Sequence, residues 1–236
     1  MVARRPAYCL WLLGSNGPRL GWCHGQPTLH LPHADTVFTV AWSPDSKSLA
    51  SGCFDRTVQL WNVLSGKPFL TYSGHLPNHD PRPPWPITVV AWSPDGQRIA
   101  SGSWLHIWDA TTAATLLSYP GYQTPVNALA WSPDGMRIAS SSYEDEAVRV
   151  WDMTRGETLL TYPGGPSPVA WAPDGRRIAS ISDESVHIWD ATTGETLLAY
   201  SGHPSQSMAL EWSPDGRRIA SVSERTVYVW DVPKYL

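Results

Sequence analysis

The chain has 236 residues, 42% of them hydrophobic and 16% charged, with a formal net charge of −4. This composition excludes a disordered chain and argues against non-specific binding to nucleic acid or to anionic membranes, both of which need a basic surface. The three cysteines, Cys9, Cys23 and Cys53, are odd in number and fit no metal spacing, so no disulfide framework is expected and a reducing compartment suits the chain best.

Residues 1–14 (MVARRPAYCLWLLG) place two arginines before an apolar stretch, as a secretion signal does, but the stretch is short and Pro6 interrupts its entry. Residues 7–11 (AYCLW) instead match 57–61 (TVQLW), and both run into a turn containing Ser and Gly. They read as a worn repeat strand rather than a signal. No stretch reaches the ~20 apolar residues needed to span a bilayer. Residues 1–24 are therefore a degenerate repeat remnant or an extension, and 25–236 form the main unit.

That unit writes nearly the same phrase five times: AWSPDS at 41–46, AWSPDG at 91–96 and 130–135, AWAPDG at 170–175 and EWSPDG at 211–216. A second phrase follows each: QLWN ending at Asn62, then HIWD, RVWD, HIWD and YVWD ending at Asp109, Asp152, Asp190 and Asp231. Two linked phrases at a period of roughly 40 residues mark a repeat array.

The repeat over 125–163 shows the local logic. Residues 126–131 alternate as a half-buried strand does. In the turn that follows, Pro133 presets the backbone, Asp134 bonds back to it and Gly135 accepts a positive φ. Residues 137–142, 147–151 and 157–162 supply three more strands separated by turns. Four short antiparallel strands make a sheet too small to stand alone. Stacking such sheets radially buries both faces, which predicts a propeller.

The Trp–Asp pairs at 108–109, 151–152, 189–190 and 230–231, the variant Trp61–Asn62, Gly–His at 74–75 and 202–203, and the SPDG turns together resemble the WD-repeat family of β-propellers. The resemblance covers nearly all of 33–236. The near-identical WDATT phrases at 108–112 and 189–193 resemble the duplicated arrays of bacterial WD proteins. The resemblance implies an all-β propeller of about five four-stranded blades. It also implies a polar network in each blade: a loop His, a Ser or Thr on the second strand, a turn Asp and the Trp of the third strand. Here the first repeat matches with His33, Ser51, Asp55 and Trp61. The second has His75, Ser101 and Trp108, with its turn cut to Trp104. The third has Tyr122 for His, with Asp145 and Trp151. The fourth has Gly165 for His, with Asp183 and Trp189. The last has His203, Ser221 and Trp230, with Glu224 for Asp.

The last repeat ends after its third strand. In the family an N-terminal strand supplies the fourth, and 26–31 (QPTLHL), between Gly25 and His33, match 67–72 (KPFLTY), between Gly66 and His75. Five blades so closed are one expectation. The other is an open, incomplete part of a larger propeller, which would expose sheet edges and pair with another copy.

Candidate contact residues follow from the same resemblance, on the face that carries the His loops: Phe54, Glu144, Ser182 and Ser223 before the turn acid, and Thr36, Pro125 and Gln206 past the loop. Independently, a proline-rich insertion between His75 and Ile87 presents Trp85, a residue type that anchors interfaces, unless it packs on its own blade. His75, His79 and Asp80 are too few for a closed metal site once His75 has a structural role. Arg98, Arg137, Arg177 and Arg218 recur beside Asp95, Asp134, Asp174 and Asp215, which predicts a nearly neutral, solvated and salt-bridged hairpin rim rather than a phosphate-binding patch. No nucleophile–base motif or glycine-rich phosphate loop is present, and no cofactor or metal is expected. The sequence reads as a non-enzymatic protein-interaction scaffold in a bacterial cytoplasm, with protein or peptide partners. The runner-up is a fragment of a larger bacterial signalling protein. A propeller hydrolase or small-ligand binder is the third reading.

Overall fold

The computed structural model describes residues 29–76, 85–102, 104–119, 125–142, 146–164, 168–182, 184–201, 207–223 and 225–234. These residues form antiparallel β-sheet throughout, with turns between. The first sheet holds β1 (Val37–Trp42), β2 (Ser48–Cys53), β3 (Val58–Asn62) and β4 (Lys67–Tyr72). The second holds β5 (Val89–Trp92), β6 (Arg98–Gly102), β7 (His106–Asp109) and β8 (Thr115–Ser118). The third holds β9 (Val126–Trp131), β10 (Arg137–Ser142), β11 (Ala147–Asp152) and β12 (Thr158–Pro163). The fourth holds β13 (Val169–Trp171), β14 (Arg177–Ser182), β15 (Ser185–Asp190) and β16 (Thr196–Ser201). The fifth holds β17 (Ser207–Trp212), β18 (Arg218–Ser223) and β19 (Thr226–Asp231). Each sheet pairs its strands in chain order. This is the architecture of a β-propeller built blade by blade.

The strands start and stop where local chemistry requires. Gly96, Gly135, Gly175 and Gly216 close the first hairpin of their blades with φ between 67° and 71°, a region that costs a residue with a Cβ. In the first blade Ser46 occupies that place at φ 60°. The Trp–Asp aspartate closes the last hairpin. Asp109 Oδ1 accepts from the backbone N–H of Thr111 at 2.9 Å and of Thr112 at 2.8 Å, and Asp190 does the same for Thr192 and Thr193. These bonds to its charged form hold Asp109 below the usual carboxylate range.

The core lies between blades rather than within them. The face of the first blade formed by Ala50, Val58, Leu60 and Tyr72 packs on Val90, Ile99, Trp108 and Ala110 of the second. Equivalent clusters join the second blade to the third, the third to the fourth and the fourth to the fifth. Leu29 and Leu31 pack on Leu49, Trp61 and Val63, the other face of the first blade. A Cβ at Gly66 would lie 2.7 Å from Leu29 Cδ1, just as one at Gly194 would lie 3.1 Å from Leu160 Cδ1. Leu160 belongs to the outer strand of the third blade, so Leu29 sits where a blade before the first would place its outer strand.

The sheets, among the described residues, do not close into a ring. Among the described residues β19 pairs with β18 alone, and the fifth sheet stays at three strands. Val227 and Val229 are each 64% exposed, whereas their counterparts Val58 and Leu60, or Val186 and Ile188, are fully buried. Closure by 26–31 is not seen: 29–31 form no strand, and 26–28 lie outside the described residues.

Candidate functional site

In each blade a serine of the second strand receives the indole N–H of the third. Ser51 Oγ accepts from Trp61 Nε1 at 2.8 Å and lies 2.6 Å from His33 Nε2. His33 Nδ1 donates to the Leu31 carbonyl at 2.9 Å, so Nε2 is the ring acceptor and takes the Ser51 hydroxyl proton. In the second blade Ser101 Oγ receives Trp108 Nε1 at 3.0 Å and meets His75 Nε2 at 2.9 Å. Trp151, Trp189 and Trp230 donate to Ser140, Ser180 and Ser221 at 2.7, 3.0 and 2.9 Å. Ser140 and Ser180 were not singled out in the sequence, although the RIAS phrase repeats there. Asp55 is placed differently from the expected network. Its Oδ1 accepts from Thr57 N and Thr57 Oγ1, and its link to His33 is electrostatic alone. Asp145, Asp183 and His203 lie outside the described residues.

Two further devices span the joints, and the sequence reading missed both because their partners lie about one repeat away. Tyr72 stacks on Trp108 and Tyr162 on Trp189. Of the arginines expected on a solvated, salt-bridged rim, Arg98 and Arg177 do pair with their aspartates, but the row is not merely solvated: Arg98, Arg137 and Arg177 reach across the joints. The Arg98 guanidinium lies 5.1 Å from the Trp131 ring centroid and donates to the Gly135 carbonyl at 2.9 Å. Arg137 does this over Trp171 to Gly175, and Arg177 over Trp212 to Gly216. Arg218 pairs with Asp231 within its own blade.

The candidate contact residues separate. Thr36 and Phe54 are brought together, with Phe54 N donating to the Thr36 carbonyl at 2.8 Å. Phe54 is 54% exposed and Phe38, 6.1 Å away, 48%. Trp85 is 49% exposed, so it does not pack away on its own blade. Ile87 N bonds the Cys53 carbonyl at 3.1 Å, which brings the Trp85 segment to the end of the first blade that carries Phe54. Pro125 and Ser182 are half-buried. Ser223 does not belong to a surface: it is 1% exposed, because its side chain falls on the covered face at the end of β18. Glu144 and Gln206 lie outside the described residues. Phe38 was missed: it shares its parity in β1 with Val40 and Trp42, an apolar row that alternation assigns to a covered face, yet it is exposed, as Trp42 is.

Among the described residues, no group of three or more His, Cys, Asp and Glu is placed to hold a metal. Cys53 is a buried free thiol, pushed up to about 12 by burial and so inert as a nucleophile. No helix among them is long and apolar enough to cross a membrane.

A family profile described as "WD domain, G-beta repeat" matches residues 25–62, 66–111, 114–152, 157–190 and 194–231. Curated relatives include eukaryotic translation initiation factor 3 subunit I of Coccidioides immitis, 41% identical over 66 residues, or 28% of this chain and 17% of that protein. The same subunit of Aspergillus niger is 39% identical over 66 residues, with the same coverage. That of Neurospora crassa is 34% identical over 71 residues, or 30% of this chain and 18% of that protein. The matches thus span less than a fifth of these relatives. All three are eukaryotic, which lends no support to the bacterial origin inferred from the duplicated phrases.

Proposed function

The chain belongs to the WD-repeat family, and from that premise we propose that it is a non-enzymatic scaffold for protein–protein contacts, working in the cytoplasm. The observation that carries this reading is a division of labour among side chains. In the first two blades His33, Ser51, Trp61, His75, Ser101 and Trp108 are engaged in internal hydrogen bonds, while Phe38, Phe54 and Trp85 stand exposed toward one end of those blades. Exposed aromatics on a rigid support fit an interface that anchors a partner. The relatives are by name subunits of a larger factor, which is in keeping with a role in holding proteins together. The test is affinity capture with the full chain against a Phe54→Ser/Trp85→Ser double variant of equal melting temperature. Proteins retained by the wild type and lost with the variant are expected. Identical retention would overturn this surface.

A second reading is favoured by Val227, Val229 and Trp42, whose faces are bare where every internal joint is covered. On this reading the array packs against further blades, supplied by a longer array or by another copy.

A further inference from the structure

One joint lacks a part that the three others have. Arg98, Arg137 and Arg177 pair in register with Asp109, Asp152 and Asp190. In the first blade the residue in register with Asn62 is Ser48. A serine therefore stands where each of the next three blades holds the arginine that covers the neighbouring indole. The joint between the first and second blades keeps the Tyr72–Trp108 stack and the indole bond across it. Trp92 Nε1 donates to the Ala41 carbonyl at 3.1 Å, as Trp131 does to Ala91 at 3.2 Å and Trp212 to Ala170 at 3.1 Å, so the indole is held in the same pose. Gly96 turns at φ 69° as Gly135 does at 68°. Where the guanidinium would be, there is a cleft of about 520 Å³ walled by Ser48, Trp92, Gly96, Asp45, Asp95 and Phe69.

We propose that this cleft receives the side chain of an arginine carried by a partner polypeptide. The proposal rests on the interaction-scaffold reading and adds the chemistry of one contact. The guanidinium lies on the Trp92 face and donates to the Gly96 carbonyl, repeating what Arg98 does on Trp131 and Gly135. The carboxylates of Asp45 and Asp95 add attraction. Each already has one cation beside it: Lys47 at 3.4 Å from Asp45, an exposed pair, and Arg98 at 3.3 Å from Asp95. Arginine is favoured over lysine because its planar, weakly hydrated group stacks and forks, while an ammonium holds its water and has no plane to lay on the ring.

The test uses the full chain with ¹⁵N-labelled indoles, the Trp92 signal being assigned by its loss in Trp92→Phe. The probe is N-acetyl-arginine N-methylamide, set against its lysine and citrulline counterparts. The arginine probe is expected to move the Trp92 signal saturably, the lysine probe to bind at least ~5-fold more weakly, and the neutral citrulline probe not to move it. Ser48→Arg fills the cleft from within; it is expected to abolish the titration and to keep or raise the melting temperature. An arginine probe that acts no differently from citrulline overturns the proposal, as does a folded Ser48→Arg protein that still binds it. A partner held equally by wild type and Ser48→Arg also overturns the cleft while leaving the scaffold reading intact. An arginine titration that persists when the Phe54/Trp85 variant changes no partner supports the cleft and removes the surface proposed above.

Discussion

Tyr72, at the end of the first blade's outer strand, lies flat on Trp108 of the second blade, with ring centroids 4.5 Å apart and planes 1° from parallel. Its hydroxyl reaches His106 Nδ1 and Thr115 Oγ1, each at 2.8 Å. The pair welds two sheets that neither hairpin turns nor strand pairing could join. Tyr72→Ala should cost ~3–5 kcal/mol, from the lost stacking area and the cavity left behind. Tyr72→Phe keeps the ring and should cost ~1 kcal/mol. Denaturant midpoints of the two variants decide the point; equal losses would mean that the hydroxyl, not the ring, carries the joint.

Identical residues at equivalent positions should differ in worth. Trp131 is 9% exposed under Arg98, while Trp42, at the same place in the first blade, is 45% exposed. Trp131→Ala should cost ~3–5 kcal/mol and Trp42→Ala under ~1 kcal/mol. Matching losses in thermal or urea unfolding would show that another blade covers Trp42 in solution.

His33 predicts a pH dependence. Burial lowers its pKa most strongly, outweighing the Leu31 carbonyl bond and the Asp55 charge, which raise it. The folded state thus prefers the neutral ring that accepts from Ser51. Below the unfolded value of ~6.5 the unfolded chain binds the extra proton first. The stability His33 contributes is therefore whole above that value and is lost as the pH falls through the lowered folded pKa. Melting temperatures measured from pH 7 to pH 5 should fall less in His33→Gln than in the wild type. Parallel curves would remove His33 as the source.

The bare faces at Val227 and Val229 should make the protein associate with itself, end of one array to start of another, since an uncovered sheet edge with an apolar face templates pairing. Light scattering should report a mass that rises with concentration, and Val229→Lys should reduce that rise without unfolding the chain. A wild type that stays monomeric across the range tested would sink this prediction.

The strands, their order and the five-fold repetition were legible in the sequence, because period-two alternation and the Pro–Asp–Gly turns act over a few residues and do not depend on what lies beyond. In the repeat over 125–163 the strand expected at 157–162 proves to be Thr158–Pro163, a shift set by Asp152 N bonding the Glu157 carbonyl to close the hairpin. The family phrases marked Ser51 and Ser101 and their tryptophans in the same local way. Tertiary structure alone decided what each blade meets. Ser223 is buried, Phe38 exposed and the arginines laid across the joints because those outcomes depend on a neighbouring sheet about one repeat away in sequence. Trp42 and Trp131 are the same residue in the same phrase; one is bare and the other covered because only Trp131 has a blade, and an arginine, beside it.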